Sequence, residues 1–276
     1  MYKRVLFATD LEGVNNVVGE PYTGLTRQVP DWEIARHQMA KEINAAADAL
    51  FAIGVEKIGL WDGHGGGGNI DPSKVDSRID FLSVDPRSKR LEFARGEYDC
   101  ICYFGYHTME GTLGGVLAHT MSSKEIQYYK INGKLVGEID MDTTISASLG
   151  IASRLFVGGD LTCKQALRTQ SDVVTVVTKT ELGRNKAIFR DNDELFAEIA
   201  EKIVKAVTTE ATQYNKPTFP LTFEKSYKRV EDAEKYLARL KAEGINANYL
   251  TDEMLGYDAH TVISVVSDID EYRKCI

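Results

Sequence analysis

Three apolar, β-rich runs in the first 107 residues each stop at a side chain that can bind a metal. Lys3–Thr9 ends at Asp10, with Glu12 and Gly13 just beyond. Val55–Trp61 ends at Asp62-Gly63-His64, and Cys100–Tyr106 ends at His107. In an open α/β sheet, ligands bind just past the carboxyl ends of the strands. Carboxylates and imidazoles delivered there from three strands read as one site, with chemistry suited to a divalent metal.

The stretches between the runs fit such a sheet. Asp31 is placed to cap a helix from Trp32 to Ile53, whose apolar positions Trp32, Ala35, Met39, Ile43, Ala46, Leu50 and Ile53 recur at helical spacing before Gly54. Gly63–Arg78 reads as a loop, and Ile79–Val84 as a short strand. Ile126–Ile131 and Lys134–Ile139 flank Asn132-Gly133, a hairpin signal that puts Glu138 on the second strand. A helix is expected near Asp142–Leu149 and a strand at Arg154–Val157. Further on come a strand at Val173–Lys179 and an amphipathic helix at Asp193–Val207. Beyond Pro217 and Pro220 the pattern predicts a strand (Leu221–Phe223), a helix (Val230–Ala242), a strand (Ile245–Leu250) and a last helix near His260–Val266. The expected architecture is α/β: a three-layer Rossmann-like core carrying the site (residues 1–160) and a smaller α+β C-terminal domain (161–276).

Composition excludes some classes. A net charge of -8 over 276 residues argues against nucleic acid as a partner, which would need a basic face. No apolar stretch approaches the ~20 residues of a membrane span, and the start lacks a signal-peptide pattern, so a soluble cytoplasmic protein is expected. Four cysteines do not make a disulfide framework, and Cys100 and Cys102, two apart in a strand, read as buried apolar residues.

Asp10 and Glu12, at i and i+2 in extended chain, point the same way and would repel unless a cation lay between them. Gly63, Gly65 and Gly68 match a dinucleotide-binding pattern, but the loop leads to Asn69-Ile70-Asp71-Pro72 rather than into a helix. A loop that lets His64 face a ligand, with Asp62 orienting the ring, fits better. His37 and His260 read as structural. Asp10, Glu12, His64, His107 and Glu138 together exceed the three protein ligands of a single catalytic zinc. They suit two metals sharing a bridging carboxylate, as in phosphatases, nucleases and aminopeptidases, and spacing does not choose among these.

ATDLEG, WDGHG, FGYH followed by GVLAHTM, and YKINGKLVGEI stand in one order and spacing. With them the chain resembles the DppA-type D-aminopeptidases, zinc peptidases sometimes described as dipeptide transport proteins. The resemblance spans nearly the whole chain, most strongly residues 5–140. It implies two zinc ions held by Asp10, Glu12, His64, His107 and Glu138, with Asp10 as the bridge and His119 as the catalytic residue. It implies short peptides as substrates, cleavage of an N-terminal residue of D configuration, and a homo-oligomer that is a ten-subunit ring in the family. The chain departs from the family pattern in two places. Ala8 stands where the family has Ser, and Asp140, Asp142 and Thr143 follow Glu138 where the family runs toward Asn-Ala. Competing expectations are a non-catalytic dipeptide-binding protein, a dimetal phosphoesterase, and a nucleotide-dependent oxidoreductase using the Gly63–Gly68 loop.

Overall fold

The computed structural model describes residues 1–21, 24–84, 90–251 and 258–276. The chain begins β1 (Arg4–Thr9), α1 (Pro30–Ala52), β2 (Lys57–Asp62), β3 (Asp80–Leu82) and β4 (Cys100–Tyr106). It continues β5 (Ile126–Ile131), β6 (Lys134–Val136), α2 (Glu138–Ser148), β7 (Ala152–Gly158), α3 (Asp160–Thr169) and β8 (Val174–Val177). A hairpin β9 (Lys179–Gly183) and β10 (Lys186–Phe189) leads to α4 (Asn192–Thr208). The last part is β11 (Leu221–Tyr227), α5 (Val230–Ala242), β12 (Asn246–Leu250), β13 (Asp258–Val266) and α6 (Ile269–Cys275).

Six strands pair in parallel in the order β3-β2-β1-β4-β7-β8. Both faces are covered, so the central strands β1, β2, β4 and β7 are buried along nearly their whole length rather than on alternate residues. Val5 and Phe7 of β1 pack with Met39 and Ile43 of α1 and Ile199 and Ile203 of α4. Leu6 and Ala8 face the other way, into a core shared with Ile139 and Ile145 of α2, Tyr129 of β5 and Phe223 of β11. That second face is roofed by a five-stranded sheet, β12-β13-β11-β5-β6, in which every pair is antiparallel. Each sheet draws strands from both sides of residue 160: β8 joins the parallel sheet, while β5 and β6 join the antiparallel one. Cys100 and Cys102 are buried free thiols on the α1 side. Among the described residues no helix is long and apolar enough to cross a membrane.

The strand order reverses between β1 and β4, which leaves a crevice at their carboxyl ends. Two glycines let the chain close up there. A Cβ on Gly13 would lie 2.0 Å from the Tyr106 carbonyl oxygen, and one on Gly105, at φ +70°, would lie 2.2 Å from that of Asp10. Without side chains the segments lock together, Gly13 N–H donating to Gly105 O at 2.7 Å and Asp10 N–H to Phe104 O at 2.8 Å. Asp10 and His107 are thereby held side by side.

Three local expectations are corrected. Glu138 opens helix α2 instead of lying on the second hairpin strand. Gly137 is extended there, and Asp140 turns back to accept its N–H at 2.8 Å, so the strand stops at Val136 and a helix starts. Residues 258–266 form β13, so His260 lies on a strand and the last helix is α6. The β-branched run Thr261-Val262-Ile263 with Val265 and Val266 favours a half-buried strand. Asp31 does not cap α1; its carboxylate accepts the N–H groups of Val18 and Gly19, at 3.0 and 2.8 Å.

Candidate metal centre

Asp10 follows β1, His64 lies two residues past β2, His107 follows β4, and Glu138 sits on the first turn of α2. All five expected ligands converge. His64 Nδ1 is 2.7 Å from Asp10 Oδ1 and 3.1 Å from Glu12 Oε2. His107 Nε2 is 3.2 Å from Asp10 Oδ2 and 3.3 Å from Glu138 Oε1. Ligand atoms of Asp10, Glu12 and His107 lie within 4.8 Å of one another, as do those of His107, His119 and Glu138. His119 stacks on His107, ring centroids 3.9 Å apart and planes at 12°.

The imidazoles are pinned from behind. His64 Nε2 is 3.0 Å from the Leu25 carbonyl, His107 Nδ1 is 2.9 Å from that of Thr108, and His119 Nδ1 is 2.8 Å from that of Leu117. A carbonyl only accepts, so each of these nitrogens carries the hydrogen and the other nitrogen is left with its lone pair. For His64 and His107 that nitrogen faces carboxylate oxygens. This is how metal-binding histidines are fixed. Lone pairs opposed to lone pairs are stable only with a cation between them, a proton or a metal, so the donor set fits divalent metal ions.

The electrostatics agree. Burial alone would raise the Asp10 pKa, but hydrogen bonds from His107 and His64 outweigh it and hold the carboxyl well below the usual range. Burial would lower His64 and His107; the carboxylates around them, Glu12 and Glu138 foremost, drive both well above 6.5. Glu138, raised by burial but lowered more by His107, ends at about 2. The pocket thus demands positive charge between its side chains.

Several supporting residues were not visible in the chain. Lys179 is buried and donates to the carbonyls of Glu12, Val14 and Val17 at 2.6, 2.9 and 2.6 Å, clamping the loop that carries Glu12. The only signal in the sequence is a charge ending an apolar run. Arg90 grips Asp142 through two nitrogens, at 2.5 and 2.9 Å, and lies 3.6 Å from Glu138; nothing around it in sequence marks it out. Asp142 also accepts the Tyr106 hydroxyl at 2.6 Å, so it adds no free charge to the site. Asp140 turns to the start of α2 and to Thr169. Asp62 does not orient His64; it accepts from the backbone of Asn69 and Ile70 and from the Asn69 side chain, which in turn donates to the His64 carbonyl at 2.7 Å. Ala8 packs into the core on the antiparallel-sheet side. His37 is exposed on α1, and His260 bonds the Tyr227 carbonyl at 3.1 Å. No α-helix starts at the Gly63–Gly68 loop, where a dinucleotide site would need one.

Asp10, Glu12, His64, His119 and Glu138 line a cavity of about 580 Å3, together with Tyr129, Lys225, Tyr227 and Arg273. An α/β sheet with this cluster at its switch point, opening on a cavity of small-molecule size, defines a metal-dependent hydrolase. The chain belongs to the D-aminopeptidase family, whose model matches residues 3–266. No curated protein sequence gives a significant match. Among solved structures it is similar to "Zn-dependent D-aminopeptidase DppA from Bacillus subtilis, a self-compartmentalizing protease", with a TM-score of 0.83 at 18% identity, covering 98% of this chain and 94% of that one.

Proposed function

We propose that the protein is a two-zinc aminopeptidase that removes the N-terminal residue, of D configuration, from short peptides or amides. The observation that carries this is the division of Asp10, with one carboxylate oxygen toward His64 and the other toward His107. Asp10, Glu12 and His64 would hold one metal, and Asp10, His107 and Glu138 the other. When bound, the pair supplies Lewis-acid polarisation of a carbonyl and water acidified toward neutral pH. The chain's own groups do the rest. Lys179 and the Gly13–Gly105 contact keep the carboxylates in place, and the backbone carbonyls of Leu25 and Thr108 fix the rings. His119, its Nδ1–H held by the Leu117 carbonyl, presents its other nitrogen to take a proton from the attacking water and, once protonated there, to pass it to the leaving amine or to donate to the developing oxyanion.

The parallel sheet with its flanking layers serves as a Rossmann-like core, and the C-terminal α+β part completes the cavity. The relative's title calls that protein self-compartmentalizing, which supports a homo-oligomer here too. The test is release of free amino acid from paired D- and L-alanyl dipeptides and amides, with zinc-loaded and chelator-stripped protein side by side. Zinc-dependent release that favours the D series is expected. Binding of dipeptide without release from metal-loaded protein would instead make it a peptide-binding protein.

A further inference from the structure

Two strained residues bracket His119. Among the described residues, three that are neither glycine nor asparagine have left-handed backbone: Leu91, Leu117 and Met121, at φ +61°, +50° and +63°. A side chain on such backbone crowds the neighbouring peptide, so the conformation costs free energy and persists only where surrounding contacts impose it. Leu117 lies two residues before His119 and Met121 two residues after it.

The contacts that impose it come from several elements. The Leu117 side chain is 2% exposed and packs so closely on Gly19 that a Cβ there would lie 2.8 Å from both of its methyls. The Leu117 N–H donates to the Arg184 carbonyl at 2.8 Å, and Arg184 Nη1 donates to the Ala118 carbonyl at 2.8 Å. The turn of the β9–β10 hairpin thus holds the loop at two successive residues. His119 N–H donates to the Thr108 carbonyl at 3.2 Å, and Thr120 Oγ1 accepts the Glu110 N–H at 3.1 Å.

Each strained residue also touches a group of the site through its own backbone. The Leu117 carbonyl accepts Nδ1–H of His119 at 2.8 Å. The Met121 N–H donates to Glu138 Oε1 at 2.8 Å, the oxygen that stands 3.3 Å from His107 Nε2. One short loop therefore orients the His119 ring at one end and seats a Glu138 oxygen at the other. Were the strain released, both would shift.

We propose that Leu117 and Met121 are positioning residues, whose left-handed backbone mounts His119 and Glu138 as one unit. The inference rests on the aminopeptidase reading and deepens it: turnover depends on the backbone conformation at residue 121 more than on the side chain there.

The experiment measures kcat and KM for a D-alanyl dipeptide with wild-type protein, M121G, M121N and M121V, each zinc-loaded and checked for folding by circular dichroism. Valine is β-branched and resists positive φ, whereas glycine and asparagine accept it. M121V should lose roughly 10- to 100-fold in kcat with little change in KM, since a displacement of about 1 Å costs about that much. M121G and M121N should exceed M121V by the same factor, although they keep less of the apolar side chain. The reverse order, or equal kcat in all three variants, overturns the proposal while leaving the aminopeptidase standing. If M121V does not fold, Arg184→Ala tests the same mount at an exposed residue. A lower kcat at unchanged KM is expected there; wild-type kcat, or a change in KM alone, overturns the proposal. Release by no protein, wild type included, defeats both the aminopeptidase reading and the mount.

Discussion

Asp10 and His107 meet across the crevice between β1 and β4, with Asp10 Oδ2 3.2 Å from His107 Nε2, while the other oxygen of the same carboxylate faces His64 at 2.7 Å. One side chain therefore links two ligand groups that come from different strands. Loss of Asp10 should disable both, whereas loss of an imidazole should disable one.

Metal content tests that linkage. Asp10→Ala is expected to lower bound zinc at both positions, and His64→Ala at one. Elemental analysis of gel-filtered protein, with circular dichroism to confirm folding, reads the result. Full zinc content in folded Asp10→Ala would remove the bridge.

His119 separates two roles. As a proton-moving or oxyanion group, its replacement by Ala should lower kcat by about 10²–10⁴-fold with zinc retained. It also stacks on His107 and stands within ligand distance of His107 and Glu138. Zinc lost together with activity would make it a ligand rather than the catalytic residue.

Lys179 should matter without touching substrate. In Lys179→Met, the carbonyls of Glu12, Val14 and Val17 lose a buried donor. The expected cost is about 3 kcal/mol or more of stability, together with weaker zinc binding in a chelator competition. Unchanged urea midpoint and unchanged zinc affinity would refute the clamp.

Glu42 gives a pH-dependent prediction. It is fully buried, and burial raises its pKa from 4.5 to about 7 despite hydrogen bonds from Asn15 N–H and the Gln38 amide. The folded state thus holds this proton more tightly than the unfolded state does. Its contribution is fully present below about pH 4.5 and is lost as pH rises through about 7. Glu42→Gln should change stability little at pH 4.5 and raise it by about 1–3 kcal/mol at pH 8. Urea melts of both proteins at the two pH values measure the difference; parallel stability curves would show that Glu42 does not titrate in this window.

The sequence by itself determined the parallel strands and the places where they end. Apolar runs buried on both faces are readable as runs, and a polar ligand that closes a run is readable as its stop, so Asp10, His64 and His107 were legible. The helix at Val230–Ala242 was legible for the same reason, from its one-sided apolar period. Local ambiguity defeated the readings at Glu138 and His260, where capping by Asp140 and pairing with β11 decided between helix and strand. Only the tertiary structure brought Lys179 under the Glu12 loop, Arg90 onto Asp142, and Lys225 and Arg273 into the wall of the cavity that the cluster lines. Lys179 and Arg90 lie far in the chain from their partners, which are backbone carbonyls and a carboxylate on other segments. Such pairings leave no periodic trace, because they are set by how two sheets pack and not by the pattern within either one.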